Sequence, residues 1–347
     1  MPGGLLTIDL AAIVANWRAL DAKTADAVET GAVIKADAYG LGVAPVGQAL
    51  QKAGAKTFFV ALADEGVVLR QAIGPAARIF VFAGYMQGDE SAFDEFALTP
   101  LLNSTDQVTR FLADRMGATC GLQLDSGMNR LGMESAELAS IAAQIPALNP
   151  ILIMSHLACA DEPEHPQNTA QLAVFTEMVD KLPDCNRSLS ATGGILLGSD
   201  YHMDMTRPGI GLYGGAPFID ARPVVTLSLP VIQTRPVAVG ESVGYGAAWI
   251  AKRPSVVATV AGGYADGLIR AIGSNASLYA GDTRCPIVGR VSMDLITVDV
   301  TDLATVPASL DILNATQTVD VLAKAAGTIG YEILTSLGNR YKRVYKD

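Results

Sequence analysis

The 347-residue sequence predicts an α/β protein: an N-terminal (β/α)8 barrel of the TIM type followed by a mostly β C-terminal domain. Three observations carry that prediction. Short apolar runs alternate with longer, mostly amphipathic stretches through the first part of the chain, eight runs in all, which is the strand count of such a barrel. No GxGxxG turn follows the first run, which argues against the competing doubly wound sheet. After about residue 220 strand-like segments follow one another without helices between them, so a different domain begins there. At roughly 150 residues per domain, the length also suggests about two domains.

The candidate barrel strands, in order, are "GAVIKA" from Gly31, "TFFVAL" from Thr57, "RIFVFA" from Arg78 and "FALTPLL" from Phe96, then "TCGLQLD" from Thr119, "ILIMSH" from Ile151, "RSLSAT" from Arg187 and "HMDMTR" from His202. Helical periodicity fills gaps between them. In "VAPVGQALQKAGA", Val46, Ala49, Leu50 and Ala53 share a face; in "TAQLAVFTEMVDKL", Leu172, Phe175, Met178 and Val179 do. The second domain reads as "VVTLSLPVIQTRPV", "SVVATVAGGYADG", "PIVGRVSMDLITVDV" and "DILNA", punctuated by Gly, Pro and Asp turns. One helical pattern, from Val319 to Leu337, closes the chain. The boundary falls between residues 216 and 226, giving domains at 1–220 and 221–347, with the first few residues candidates to pair with the second domain.

Half of the residues are hydrophobic, enough for a large core. A formal net charge of −10 argues against nucleic acid or an anionic membrane surface as partner. The four cysteines (Cys120, Cys159, Cys185, Cys285) form no CxxC pair and no zinc-finger spacing, which reads as reduced thiols in a cytoplasmic protein. No signal peptide and no bilayer-length apolar run is expected. Three histidines, His156, His165 and His202, are too few to make a multi-histidine metal site the expectation.

In barrels of this kind the active site lies at the carboxyl ends of the strands, with phosphate often bound after the last two. Lys35 ends the first candidate strand, Arg130 follows the fifth, His156 ends the sixth, Thr192 the seventh and Arg207 the eighth. "ATGG" and "RPGIG" offer backbone N–H groups that an anion can approach without side-chain obstruction. A lysine across the rim from a phosphate cradle suits a small phosphorylated carbonyl cofactor, with pyridoxal phosphate on Lys35 as a Schiff base the candidate. Each residue also has a plainer reading. Lys35 could be a solvated strand end, Tyr39 a packing ring, His156 a satisfied core histidine and Arg207 a loop arginine. "GYADG", Gly263 to Gly267, could be only a turn.

Taken together, "AVIKADAYGLG", "LDSGMNRLGM", "MTRPGIGLYG", "SVGYGAAW", "GGYADGL" and "GRVSMDLITVDV", in this order, resemble the alanine racemase family over nearly the whole chain. The resemblance implies a pyridoxal-phosphate enzyme, a homodimer with shared active sites, that interconverts L- and D-alanine for cell walls or for catabolism. Lys35 would anchor the cofactor and serve as one acid/base, and Tyr264, from the partner subunit, as the other on the opposite face of Cα. Both need lowered pKa values to work near neutrality. His156 and Arg207 would be the neighbours that stabilise the phenolate. Arg207 would also face the pyridine nitrogen. A guanidinium that keeps its proton would leave that nitrogen unprotonated. Tyr39, Thr192, Gly209 and Ile210 would hold the phosphate. Arg130 would bond the phenolic oxygen and help with the substrate carboxylate, and Met293 would add a backbone N–H to that carboxylate, with Asp294 alongside.

The chain departs from the family pattern at three places. Gln123 stands where many relatives have a lysine, modified to a carbamate, that orients the arginine; here the glutamine, an ion or something else must orient Arg130. "ATG" replaces an "NSA"-like segment, and Asn339 is nearest to a phosphate-binding tyrosine near the C-terminus. A racemase of serine or another small amino acid is the alternative activity, because one methylene or hydroxyl changes selectivity only about 10- to 200-fold. Basic amino-acid decarboxylases share the architecture but use a partner cysteine, and no cysteine here sits in such a motif. A non-catalytic pyridoxal-phosphate carrier would resemble the barrel alone.

Overall fold

A computed structural model describes residues 3–347. The chain divides into two compact units. One runs from Ile13 to Leu212 with Pro217–Asp220; the other takes the described residues 3–12, Tyr213–Ala216, and everything from Ala221 on.

The first unit is the barrel. Seven parallel strands, Ala32–Val33, Thr57–Val60, Arg78–Val81, Thr99–Leu102, Thr119–Gln123, Asn149–Met154 and Asn186–Ser188, pair in chain order. The eighth, Met205–Thr206, runs parallel to Glu29–Thr30, just before the first strand. It also meets the seventh, through Asp204 N–H to Arg187 O (3.1 Å) and Arg207 N–H to Ser190 O (2.8 Å). These bonds close the ring, so no edge strand is left to cap. "TFFV" is apolar in its last three residues and buried throughout, because parallel strands of a barrel are covered on both faces. Phe59 stacks on Phe80 (5.3 Å between centroids) and on Phe82 (5.5 Å). Between the strands, helix Val43–Ala53 buries Val46 and Leu50, and helix Pro166–Val179 buries Phe175, Met178 and Val179.

The second unit is built on the thirteen-residue strand Val225–Val237. That strand pairs antiparallel with Leu5–Asp9, Ser255–Ala261 and Ser309–Leu313, and Leu5–Asp9 pairs parallel with Lys342–Lys346. The chain's first and last described strands therefore lie side by side. Two sequence expectations change here. The closing helical pattern is two helices, Val319–Ala326 and Gly330–Ser336. Gly327, at φ 70°, ends the first in the left-handed conformation that favours glycine. Of "PIVGRVSMDLITVDV", only its first residue, ending strand Thr283–Pro286, and Leu295–Asp299 belong to strands; the intervening turn carries Ser292, Met293 and Asp294.

Candidate active site

Five sequence-predicted polar residues stand just past the carboxyl ends of barrel strands: Lys35, Arg130, His156, Thr192 and Arg207. The backbone beyond Lys35 is unusual. Ala36, Asp37, Ala38 and Tyr39 all have φ between 53° and 56°, a left-handed turn made without glycine. Such residues cost roughly 1–2 kcal/mol each and persist only where surrounding contacts over-determine them. Here Ala38 N–H donates to Ile34 O (2.9 Å), Gly42 N–H to Asp37 O (2.8 Å) and Val43 N–H to Asp37 Oδ1 (2.7 Å).

Three cations and a histidine share this rim. Burial, then the charge of Arg130, hold the Lys35 amine below its ordinary pKa; Glu65 opposes the shift and Arg207 adds to it. Its Nζ lies 5.7 Å from the centre of the Phe82 ring. Burial, followed by Arg207, Arg130 and Lys35, pushes the His156 imidazole down to about 3, so it is neutral near pH 7. Arg207 is 1% exposed, and its bonds run to neutral acceptors. Its Nε donates to Ser188 Oγ (2.8 Å) and its Nη2 to Ser155 O (2.6 Å) and Leu189 O (3.1 Å), leaving Nη1 outside these bonds. Burial lowers it to about 9, still charged at neutrality. A buried guanidinium bonded only to neutral acceptors is costly, and one donor directed at a neutral ring nitrogen would use that charge.

The candidate anion cradle is assembled around Thr192. Its Oγ1 accepts from Gly209 N–H (3.1 Å) and Gly211 N–H (3.2 Å), so its own hydrogen remains to be donated. A Cβ on Gly209 would sit 2.4 Å from the Tyr39 hydroxyl, which places that phenol against the same backbone. Ile210, 1% exposed, continues the loop. Donors on one side, an amine on the other and a spare guanidinium N–H fit a flat phosphorylated aldehyde.

Arg130 sits in a loop caged by Asp125, which accepts from Gly127 N–H (2.8 Å), Met128 N–H (2.8 Å) and Arg130 N–H (3.0 Å). Burial raises the Asp125 pKa, but the backbone donors outweigh it and the carboxyl stays low. Gln123 Nε2 donates to Leu131 O (3.2 Å), while its Oε1 is buried without a hydrogen-bond partner among the described residues. It therefore holds the loop beside the arginine rather than the guanidinium.

In the β unit, Tyr264 opens a 3-10 turn, Tyr264–Asp266, that is laced to the Met293 turn. Tyr264 N–H donates to Ser292 O (3.0 Å) and Ala265 N–H to Met293 O (3.0 Å). Arg340, which sequence reasoning passed over, clamps both turns, with Nε on Asp266 Oδ1 (2.5 Å) and Nη1 on Asp294 Oδ1 (2.8 Å). Its basic character was visible in "NRYKR"; its long-range partners were not. Tyr264 and Met293 are 43% and 53% exposed.

A strand-end lysine with a lowered pKa, at the same barrel end as a glycine-rich loop bonded to Thr192, is the arrangement expected of enzymes that carry an aldehyde cofactor on a barrel lysine. The chain belongs to the alanine racemase family. The family models "Alanine racemase, N-terminal domain" and "Alanine racemase, C-terminal domain" match residues 8–217 and 224–345. The alanine racemase of Cereibacter sphaeroides is 60% identical over 345 residues, 99% of each chain. The crystal structure of the Bartonella henselae alanine racemase, with covalently bound pyridoxal phosphate, superposes with a TM-score of 0.94 at 36% identity and full coverage of both chains. The biosynthetic alanine racemase of Pseudomonas aeruginosa does so at 0.92, also at 36% identity and full coverage.

Proposed function

We propose that this chain interconverts L- and D-alanine, with pyridoxal phosphate anchored on Lys35. The observation that carries the reading is the pairing of a low-pKa lysine with the Thr192–Gly209 cradle at one barrel rim. The cofactor, when bound, supplies the electron sink that makes the substrate Cα–H acidic. Tyr39, the Thr192 hydroxyl and the Ile210 backbone N–H would hold its phosphate beside Gly209, whose own N–H is taken by Thr192 Oγ1, and Arg207 would donate to its ring nitrogen. A guanidinium that keeps its proton would leave that nitrogen unprotonated and so favour return of a proton to Cα. Arg130 would bond the cofactor's phenolic oxygen and help with the substrate carboxylate.

Lys35 Nζ holds or takes the Cα proton on one face. Tyr264, from the partner subunit of a homodimer, does so on the other, with His156 and Arg207 as its neighbours. Met293 N–H and Asp294, from the same subunit as that tyrosine, position the carboxylate. Exposed Tyr264 and Met293 on the β unit support the dimer, since exposed apolar groups that cluster mark contact surfaces. The cysteines are free thiols, which fits a cytoplasmic setting. Among the described residues no helix is long and apolar enough to cross a membrane.

The test is complementation. Lys35→Ala and Tyr264→Phe should each lose alanine racemisation, and mixed dimers of the two should regain part of it. Proven mixed dimers without recovery would place both groups in one subunit's site.

A further inference from the structure

We infer that Glu65 is the positioning residue for Lys35: its carboxylate bridges two barrel strand ends and holds the left-handed turn that aims the lysine. The inference rests on the proposed role of Lys35. Glu65 lies in the first turn of helix Ala63–Ile73, which comes after the second barrel strand. Its Oε1 accepts from Ala36 N–H (2.7 Å), the first peptide after Lys35. Its Oε2 accepts from Ala61 N–H (2.7 Å) and, at 3.4 Å, from Leu62 N–H. One carboxylate thus ties the residue after the lysine to the end of the neighbouring strand.

The bridge matters because of what begins at Ala36. Ala36 is the first of four consecutive non-glycine residues in the left-handed region, and that conformation needs external bonds to persist. Asp37 holds the far side of the turn through Val43 N–H; Glu65 holds the near side. Glu65 has a second consequence. The charged groups that bear on the Lys35 amine are Arg130, Glu65 and Arg207. His156, close by, is neutral. Of the three, Glu65 alone raises the amine's pKa. A wholly cationic surrounding would leave the amine a weak base, and the carboxylate moderates it.

The role separates into a bridging part and a charge part. A glutamine has the same shape, but its amide must turn an N–H toward Ala36 N–H or toward Ala61 N–H, so it cannot accept at both. The experiment uses the full-length protein without cofactor, so that its outcome is independent of turnover. Lys35 is dimethylated with 13C-formaldehyde, assigned with Lys35→Arg, and titrated by NMR. Amide hydrogen exchange is followed at Ala36, Ala38 and Ala61. In Glu65→Gln the Lys35 pKa should fall, and exchange of the Ala36 or Ala61 amide should accelerate on the order of 10- to 100-fold, the range for losing a bond to a charged acceptor. Glu65→Asp, a methylene shorter, should keep the charge and lose the bridge, so exchange should accelerate with a smaller change in pKa. An unchanged Lys35 titration and unchanged Ala36 and Ala61 exchange in a folded Glu65→Gln protein would overturn the assignment. Failure of the proposed activity would show separately, as wild-type protein that takes up cofactor without racemising alanine.

Discussion

Gly263→Ala isolates the packing that presents Tyr264. Gly263 has φ −164°, an extended backbone open to any residue, so the substitution carries no conformational penalty. Space is what it lacks. A Cβ there would lie 2.3 Å from Met293 O, 2.4 Å from Ser292 O and 2.5 Å from Met293 C, all backbone atoms. The two turns must separate, which breaks the Tyr264 N–H to Ser292 O and Ala265 N–H to Met293 O bonds. Two such bonds contribute about 1–3 kcal/mol together, and forcing backbone apart in a packed region costs about 1–3 kcal/mol more. The expected loss is therefore about 2–6 kcal/mol. Gly281→Ala is the control: φ there is 59° with nothing within 4 Å of the added Cβ, so it should lose only about 1 kcal/mol. Urea unfolding of the three proteins, followed by tryptophan fluorescence, compares the losses. Alanine turnover should fall with Gly263→Ala and persist with Gly281→Ala. Equal destabilisation by the two substitutions, with normal turnover in both, would refute the account of how Tyr264 is held.

The remaining predictions concern the barrel. The His156 pKa is depressed from 6.5 to about 3. Between those values the unfolded chain binds the proton and the folded one does not, so stability falls as pH falls through this window. At about pH 5 the loss is about 2 kcal/mol relative to about pH 8. The stability difference between wild type and His156→Asn should therefore shift by that amount toward the variant on acidification; a pH-independent difference in urea midpoints would contradict it. Gly209→Ala should displace the Tyr39 hydroxyl from the cradle, since the added Cβ falls 2.4 Å from it. Pyridoxal phosphate affinity, read by titration of the visible absorbance, should weaken on the order of 10- to 100-fold, and an unchanged affinity would remove Gly209 and Tyr39 from the phosphate site.

The barrel was legible because its strands are short apolar runs bounded by turn residues, and burial on both faces leaves no alternation to confuse them. The rim residues were legible through position: Lys35, His156, Thr192 and Arg207 stand within four residues past a strand end, and Arg130 in the loop that follows one. Their roles came from the family resemblance rather than from spacing. What stayed hidden was set by partners distant in sequence or by unusual backbone. Nothing in "ADAY" announces a left-handed turn, because no glycine marks it. Glu65 reads locally as an ordinary first-turn acid of a helix, and its bond to Ala36 spans 29 positions. Arg340 meets Asp266 across 74 positions. Gln123 was expected among the groups that could orient Arg130, yet its amide reaches the Leu131 carbonyl instead. The break at Gly327 did carry a local signal, a glycine at the end of a short amphipathic run.

The most direct test of the two-face mechanism is incubation of the purified protein with pyridoxal phosphate and L-alanine in D₂O, following chirality and the Cα proton together. The account predicts D-alanine carrying deuterium at Cα, with inversion lost in both Lys35→Ala and Tyr264→Phe. Exchange of the Cα proton in L-alanine without formation of D-alanine would contradict it, leaving Lys35 as a working base and Tyr264 without the role assigned to it.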